Sequence, residues 1–345
     1  MLPQSNAFAL MASYTAPYIL VVRRFNVKIL SILNCKGWFK ISRYILRRIF
    51  SGLITLFIVI TITFFMMRAI PGGPFTDEKA IPEFVAQKMS ERYGLNDPLY
   101  IQYGRYLLNV LKLDLGPSYR YEGMTVNELI AGGFPVSCIV GGMALIFSLM
   151  AGIPAGVISA LKRGKWQDRL AMILATVGVT VPSFVIASLL VYVFAMQLGW
   201  ASVGFWDGVS TAFLPALTLA LYPAAFISRL VRSGMLEVLG QDYIRTAYAK
   251  GLSERSVIYI HALKNAVIPV ITYLGPLTAG ILTGSFVIEQ VYGVPGLGTF
   301  FVTSISNRDY TTIMGVTIFY SAILVAFNIV ADICLSFVDP RIKLR

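Results

Sequence analysis

The apolar positions of this chain gather into long runs without a single Asp, Glu, Lys or Arg, and charged connectors separate those runs. Six of them, residues 49–67, 134–161, 170–206, 208–228, 265–288 and 310–331, are long enough to cross a hydrocarbon core, which takes about 20 residues of helix rising ~1.5 Å each. The third run is too long for one helix and is expected to end near Leu198, where Gly199 and Trp200 mark a turn at the interface. Period-two alternation with a turn every ten residues or so is missing, which excludes a membrane β-barrel. The pattern therefore predicts an all-α, polytopic membrane protein with six core spans.

Composition agrees. Of 345 residues, 57% are hydrophobic and 13% charged, about half the roughly 25% charge of a soluble domain. A water-soluble enzyme is excluded. The net charge of +12 would suggest nucleic acid in a soluble chain, but here the basic residues sit beside the apolar runs, so the lipid bilayer is the partner they imply. Lys and Arg in short loops resist translocation. With residues 1–48 on the cytoplasmic side, the short segments place twenty-one basic residues inside and only Arg308 outside. Both termini are thus expected in the cytoplasm. No outer loop holds a cysteine pair, and His261 is the only histidine, so neither a disulfide nor a metal site is expected.

Residues 1–43 contain no acid, and residues 19–41 mix apolar and basic positions in a way that suits a helix in the headgroup layer or a plain extension. The basic pair Arg23–Arg24 follows the apolar piece instead of preceding it, unlike a cleaved signal peptide. The rest, 44–345, forms the membrane domain. Its loop 69–133, between the first and second spans, is expected outside the cell, where PLYIQYGRYLLNVLKLDLG reads as an amphipathic helix and a turn. A cap packed on the membrane domain is favoured there over a platform for an external partner. Pro154, Pro182, Pro215, Pro223 and Pro276 within the apolar runs predict bent helices.

The cytoplasmic loop 229–264 is the most informative segment. Residues 243–250 wind with Asp242 as cap, Gly251 supplies a left-handed turn, and Ser253 caps a second helix with Glu254 in its first turn. Two helices at an angle outside the bilayer make a firm knob. Ala247 and Gly251 lie four apart, so a partner surface is expected to approach the backbone there.

At these residues the chain resembles importer-type ABC permeases, whose EAA loop reads Glu-Ala-Ala, three residues, Gly, nine residues, Ile, one residue, Leu-Pro. Arg245, Thr246 and Ala247 stand at the triplet, Gly251 at the glycine, His261 at the isoleucine, and Leu263 with Lys264 at the final pair. The departures from the general pattern match the variant of the dipeptide and oligopeptide branch. SRYILRRIFSGLITLF, AIPGGP, GIPAGVISALKRGKWQD, VPSFVIASLL, EQVYGVPGLG, NRDYTTIMG and the tail DPRIKLR extend that resemblance over residues 43–345. It implies a bacterial or archaeal inner-membrane permease paired with a second permease, two ABC ATPases beneath, and an extracytoplasmic binding protein delivering di- or oligopeptides; nickel and glutathione importers share the branch. It implies coupling roles for Arg245, Thr246, Ala247, Lys250, Gly251, His261, Leu263 and Lys264. No phosphate cradle of the G-x-x-x-x-G-K-[ST] kind occurs in the chain, so ATP and Mg are expected on the partner ATPases, with no cofactor and no catalysis here.

The remaining candidates are weaker. Gly293, Gly296 and Gly298 read as a turn rather than a dinucleotide loop. Asn328 and Asp332 share one face of the last span, with internal pairing favoured over substrate contact. Glu289, at the outer end of the fifth run, meets a peptide amine or, the favoured reading, sits among headgroups. Gly208-Val209-Ser210 resembles a serine-protease fragment, but His261 is expected on the opposite side of the membrane. A stand-alone ion-coupled carrier finds little coupling chemistry in six spans with one buried acid.

Overall fold

The computed structural model describes residues 35–70, 88, 94–121 and 123–338. Contacts divide the chain into Met1–Ile54 with Arg341–Arg345, and Thr55–Pro340. The described part of the first unit is the beginning of helix α1 (Cys35–Ala69), where Leu46, Phe50 and Leu53 are exposed as apolar side chains facing lipid are. Residues 1–34, the stretch from 71 to 93 apart from Lys88, and the tail from 339 on lie outside the described residues. The same is therefore true of most of the expected headgroup-layer helix.

The second unit is helical. After α1 come α2 (Leu99–Leu111), α3 (Val126–Leu161), α4 (Trp166–Thr180) and α5 (Ser183–Gln197), the last π-helical from Val191. Then follow α6 (Val209–Leu239), α7 (Asp242–Ala249), and α8 (Glu254–Ala266), π-helical over Val257–Ala262. α9 (Ile268–Leu282), α10 (Phe286–Tyr292), α11 (Leu297–Ser306) and α12 (Tyr310–Val338) complete the order. The β-structure among the described residues is one isolated bridge, Pro117 to Thr125. Among the described residues four helices are long and apolar enough to span a membrane, and six spans result when α4–α5 and α8–α9 each count as one.

Two runs depart from the expected straight spans. The third folds by 105° between α4 and α5. Pro182 lacks an amide hydrogen, and its ring drives Val181 to an extended ψ of 126°, so the helix stops there and restarts in a new direction. Its end is where expected, with Leu198 capping α5. The fifth run begins after a 50° bend and stops at Leu282. Gly284, at φ 93°, then turns the chain, and Glu289 falls in the separate α10. By contrast α3, α6 and α9 run on through Pro154, Pro215, Pro223 and Pro276.

Glycine sets how closely the helices approach. A Cβ on Gly152 would stand 2.8 Å from the carbonyl oxygen of Ala224, and one on Gly156 would stand 2.6 Å from that of Ser228. Hydrogen at these two positions, one turn apart, lets α3 lie against the backbone of α6. Gly141 meets Ile281 of α9 in the same way, and Gly234 of α6 meets Ala266 of α8.

The loop segment before α3 is tied down twice. Tyr103 and Tyr106 of α2 pack on the buried Phe64 ring of α1 with centroids 5.3 and 5.6 Å away, and the Tyr103 hydroxyl lies 2.7 Å from Thr61 Oγ1. Asp309, fully buried, accepts from Ser118 Oγ, Tyr119 N and Thr312 Oγ1, while Thr311 Oγ1 donates to Pro117 O. Thr125 and Glu128 then form a capping box that starts α3.

Gly156→Val is expected to destabilise the chain by about 1–3 kcal/mol, because backbone must shift to admit the side chain. Gly142, where a Cβ would meet nothing within 4 Å, is the control. Thermal unfolding of the two purified variants in detergent checks this: the glycine-156 variant falls well below wild type and Gly142→Ala does not.

Candidate functional site

α7 is eight residues long and amphipathic. Ile244 and Ala247, three apart and so on one face, are buried against Val257 and Ile258 of α8 and against the α6 core. Tyr243, Arg245, Thr246, Tyr248 and Lys250 are exposed. Ala247, at 7% exposure, thus faces its own bundle, which corrects the expected approach of a partner at Ala247, while Gly251 is exposed. The physical reason is that an eight-residue helix needs a buried face to stay formed, and Ile244 decides which one. Asp242 is also not the cap: Gln241 holds that position without a side-chain bond, and Asp242 sits in the first turn, favourably placed for the helix dipole. Its contact with Arg245, 3.7 Å between largely exposed groups, adds little.

Gly251 ends α7 as expected. Its φ of 76° is the reason for glycine, since no atom lies within 4 Å of where a Cβ would be. Its N–H donates to Tyr248 O at 2.9 Å. Ser253 then accepts from Ser256 N and opens α8. Asn265 donates to the Tyr243 hydroxyl at 2.8 Å, fastening the far end of α8 to the start of α7. His261 lies in the π-helical stretch, half-buried, Leu263 packs on the core cluster, and Lys264 is exposed. The structure therefore brings all eight proposed coupling residues onto one helical knob, with Arg245, Thr246, Lys250, Gly251 and Lys264 on its exposed side and Ala247 within.

The helix that leads into the knob is fastened to the α3–α4 turn by a charge clamp that the sequence pattern did not reveal. Asp168, 5% exposed at the start of α4, accepts from Arg232 Nε at 2.7 Å and Nη2 at 2.9 Å, from Ser159 Oγ, and from Gly164 N. The bidentate pair holds the α3–α4 turn against the last third of α6, directly before α7. A lone acid within KRGKWQDR and two arginines, Arg229 and Arg232, near the end of an apolar helix were the available signals.

Glu289 occupies a different place. It is 2% exposed, accepting from Ser137 Oγ at 2.8 Å and Thr299 N at 2.9 Å, while Ser137 Oγ in turn accepts from Leu297 N. Gly284 and Gly296 crowd its carboxylate so closely that a Cβ on either would collide with it, and a Cβ on Gly298 would clash first with the backbone nitrogen of Phe286 and stand 3.0 Å from Glu289 Oε2. The expectation of a glutamate among headgroups is thereby corrected: the carboxylate caps the N-terminus of α11 and pins α10 and α11 to α3, because the amide hydrogens there need an acceptor that lipid does not supply. Gly293, left-handed at φ 67°, ends α10, in keeping with the turn reading of that glycine run. Asn328 lies against Gly275 of α9, and Asp332 is half-buried on α12. The three substrate-path candidates do not share a site. Ser210 and His261 are also apart, since about 36 Å of helix separates Ser210 from Gly234, where α8 meets α6.

Comparison with known proteins places this chain in a family. The family model described as the binding-protein-dependent transport system inner membrane component matches residues 152–344, and that of its N-terminal region matches residues 41–123. The chain belongs to this family. The oligopeptide transport system permease protein OppB of Haemophilus influenzae is 45% identical over 303 residues, covering 87% of this chain and 99% of that protein. The dipeptide transport system permease protein DppB of Bacillus subtilis is 45% identical over 304 residues, covering 88% and 99%. Among solved structures, the inward-facing MetNI methionine ABC transporter aligns with a TM-score of 0.52 over 61% of this chain and 96% of that one. At 16% identity this likeness speaks for the fold alone. The protein is a multi-pass membrane permease of the importer-type ABC fold.

Asp168→Ala is expected to lower stability by leaving Arg232 without its carboxylate partner. The double variant Asp168→Ala with Arg232→Met should be more stable than the single one, and chemical unfolding of both purified chains gives the comparison.

Proposed function

We propose that this chain is one of two permease subunits of an ATP-driven importer of di- or oligopeptides. A second, homologous permease completes the path, two ABC ATPases dock on the α7–α8 knob from the cytoplasm, and an extracytoplasmic binding protein delivers the peptide. Both termini face the cytoplasm, and ATP with Mg is held by the ATPases, this chain binding no cofactor. The observation that carries this reading is the knob itself: one face of α7 is locked into the bundle by Ile244 and Ala247, and the other presents Tyr243, Arg245, Tyr248 and Lys250 to a partner. The names and near-complete coverage of the two relatives support the peptide cargo.

The mechanism follows from stiffness. ATPase closure pushes on the exposed face of α7. The Tyr243–Asn265 bond and the buried cluster make α7 and α8 move together. Gly234 on Ala266 and Arg232 on Asp168 pass that displacement to α6 and to the α3–α4 turn, tilting the spans as rigid bodies between inward-open and outward-open arrangements. Arg245, Thr246, Lys250 and Lys264 make the docking contacts. Gly251 sets the angle between the two helices, and His261 and Leu263 brace α8.

Gly251→Pro replaces a φ of 76° by one near −65° and removes the N–H that bonds Tyr248. The variant should insert and assemble yet lose peptide uptake and peptide-stimulated ATP hydrolysis by at least about tenfold. Normal values of both in reconstituted vesicles would end the coupling claim. In the same complex a cysteine at Arg245 or Tyr248 is expected to cross-link to an ATPase subunit, and one at Ala247 is not.

A further inference from the structure

The junction of α3 and α4 carries four cations and one acid. Lys162, Arg163, Lys165 and Arg169 are exposed, and the backbone gathers them. Lys165 N donates to Lys162 O at 2.9 Å across a tight turn with Gly164 at φ 76°, and Arg169 N donates to Lys165 O at 3.1 Å one helical turn further on. Among the described residues none of the four has an ion-pair partner. The acid is no help to them, because Asp168 is buried and its oxygens are taken by Arg232, Ser159 Oγ and Gly164 N.

The helix that follows shows which way these cations face. Trp166, Leu170, Ile173, Leu174 and Val177 recur at helical spacing along α4 and are all exposed, whereas Asp168 and Ala175, on the opposite side of the helix, are buried. Arg169, three residues after Trp166 and four before Ile173, belongs to the exposed stripe. In a chain that spans a membrane such a stripe borders hydrocarbon. Trp166, 69% exposed at its head, has the amphipathic ring that collects at the headgroup level. A guanidinium beside hydrocarbon needs an anion or water, so Arg169 reaches back to the headgroup layer, where the other three cations lie.

One ligand chemistry answers both features. A docked aqueous subunit would cover the cations and leave the stripe bare, while a phospholipid brings a phosphate for the first and acyl chains for the second, joined in that order. We propose that the α3–α4 turn is a binding site for one anionic phospholipid of the leaflet on the α7 side, its phosphate held by Arg163, Lys165 and Arg169 with Lys162 adding to their field, and its chains lying along the exposed stripe of α4. Each basic side chain at such a site raises affinity roughly fivefold. The inference rests on the membrane spans and is independent of the cargo. Its consequence is mechanical. The turn is bound to α6 through Asp168 and Arg232, so a lipid that pins the turn at the headgroup plane gives α6 a fixed point just before the knob.

The test is native mass spectrometry of the protein purified together with its bound subunits and titrated with dioleoylphosphatidylglycerol or dioleoylphosphatidylcholine. The anionic lipid is expected to bind about tenfold more tightly than the zwitterionic one. Arg163→Gln combined with Arg169→Gln should weaken the anionic lipid at least about tenfold, two charges' worth, with an unfolding temperature near wild type, since neither side chain has a bond to lose. Arg163→Lys combined with Arg169→Lys keeps both charges and should retain the lipid within about threefold. Arg255→Gln, which removes an exposed cation from α8 instead, should leave it unchanged. Equal binding of the two lipids, equal phosphatidylglycerol binding by wild type and the glutamine pair, or an equal loss in Arg255→Gln would reduce the effect to diffuse surface charge and overturn the site. Displacement of the lipid by millimolar glycerol 3-phosphate would make this a site for free phosphate and overturn the lipid assignment. A cysteine at Arg163 that cross-links in high yield to a bound subunit would show the turn covered by protein, and that too would overturn it.

Discussion

The contact on which this bundle depends is the backbone-to-backbone approach of α3 and α6 at Gly152 and Gly156. In lipid, apolar side chains gain nothing by leaving hydrocarbon for one another, so helices hold together by dispersion at short range and by polar bonds between them. Two hydrogens on one face of α3 bring it within reach of α6 over several turns. α6 in turn carries every element that follows: the clamp at Arg232, the contact of Gly234 with α8, and the knob α7 at its end. A chain in which α3 stood an ångström further off would leave the clamp stretched and the knob loosely seated.

Among the described residues three buried acids give the bundle its second kind of bond. Asp168, Glu289 and Asp309 each gather amide hydrogens and hydroxyls and each reach one segment far away in sequence, which for Asp168 is the cation of Arg232. Their positions divide the labour. Asp168 fastens the end that bears α7, Glu289 fastens α10 and α11 to α3, and Asp309 fastens the loop segment before α3 to the start of α12. Between these ends the helices touch mainly through small and apolar residues, so the bundle is stapled at its rims and smooth at its waist. That distribution suits spans that must tilt without coming apart.

What the sequence made legible was whatever depends on neighbours along the chain. The spans follow from runs without charge, the end of the third from Gly199 and Trp200, and the knob from Gly251 and Ser253, because a left-handed turn and a cap act within a few residues. The 105° fold at Pro182 was only half visible: a proline announces a break, but the angle is set by what α4 and α5 pack upon. Ala247 was misjudged because a small residue serves equally at an open surface and at a tight contact, and Ile244 one turn earlier settles the matter. The acids were hardest, since Glu289 meets Ser137 across 152 positions and Asp168 meets Arg232 across 64. No local pattern records such partners.

The cradle round Glu289 ties several positions into one inherited unit. A carboxylate fills the hollow left by three glycines, and those glycines are tolerable in a tightly folded segment because the carboxylate gathers their strands together. Neither half is useful alone. A change to alanine at 284 or 296 displaces the acid, one at 298 presses on the Phe286 backbone beside it, and loss of the acid leaves a void edged with bare amides. Drift at this rim must therefore proceed by simultaneous replacement or not at all, so descendants of this chain should differ freely on the lipid-facing sides of their spans while this one corner stays frozen.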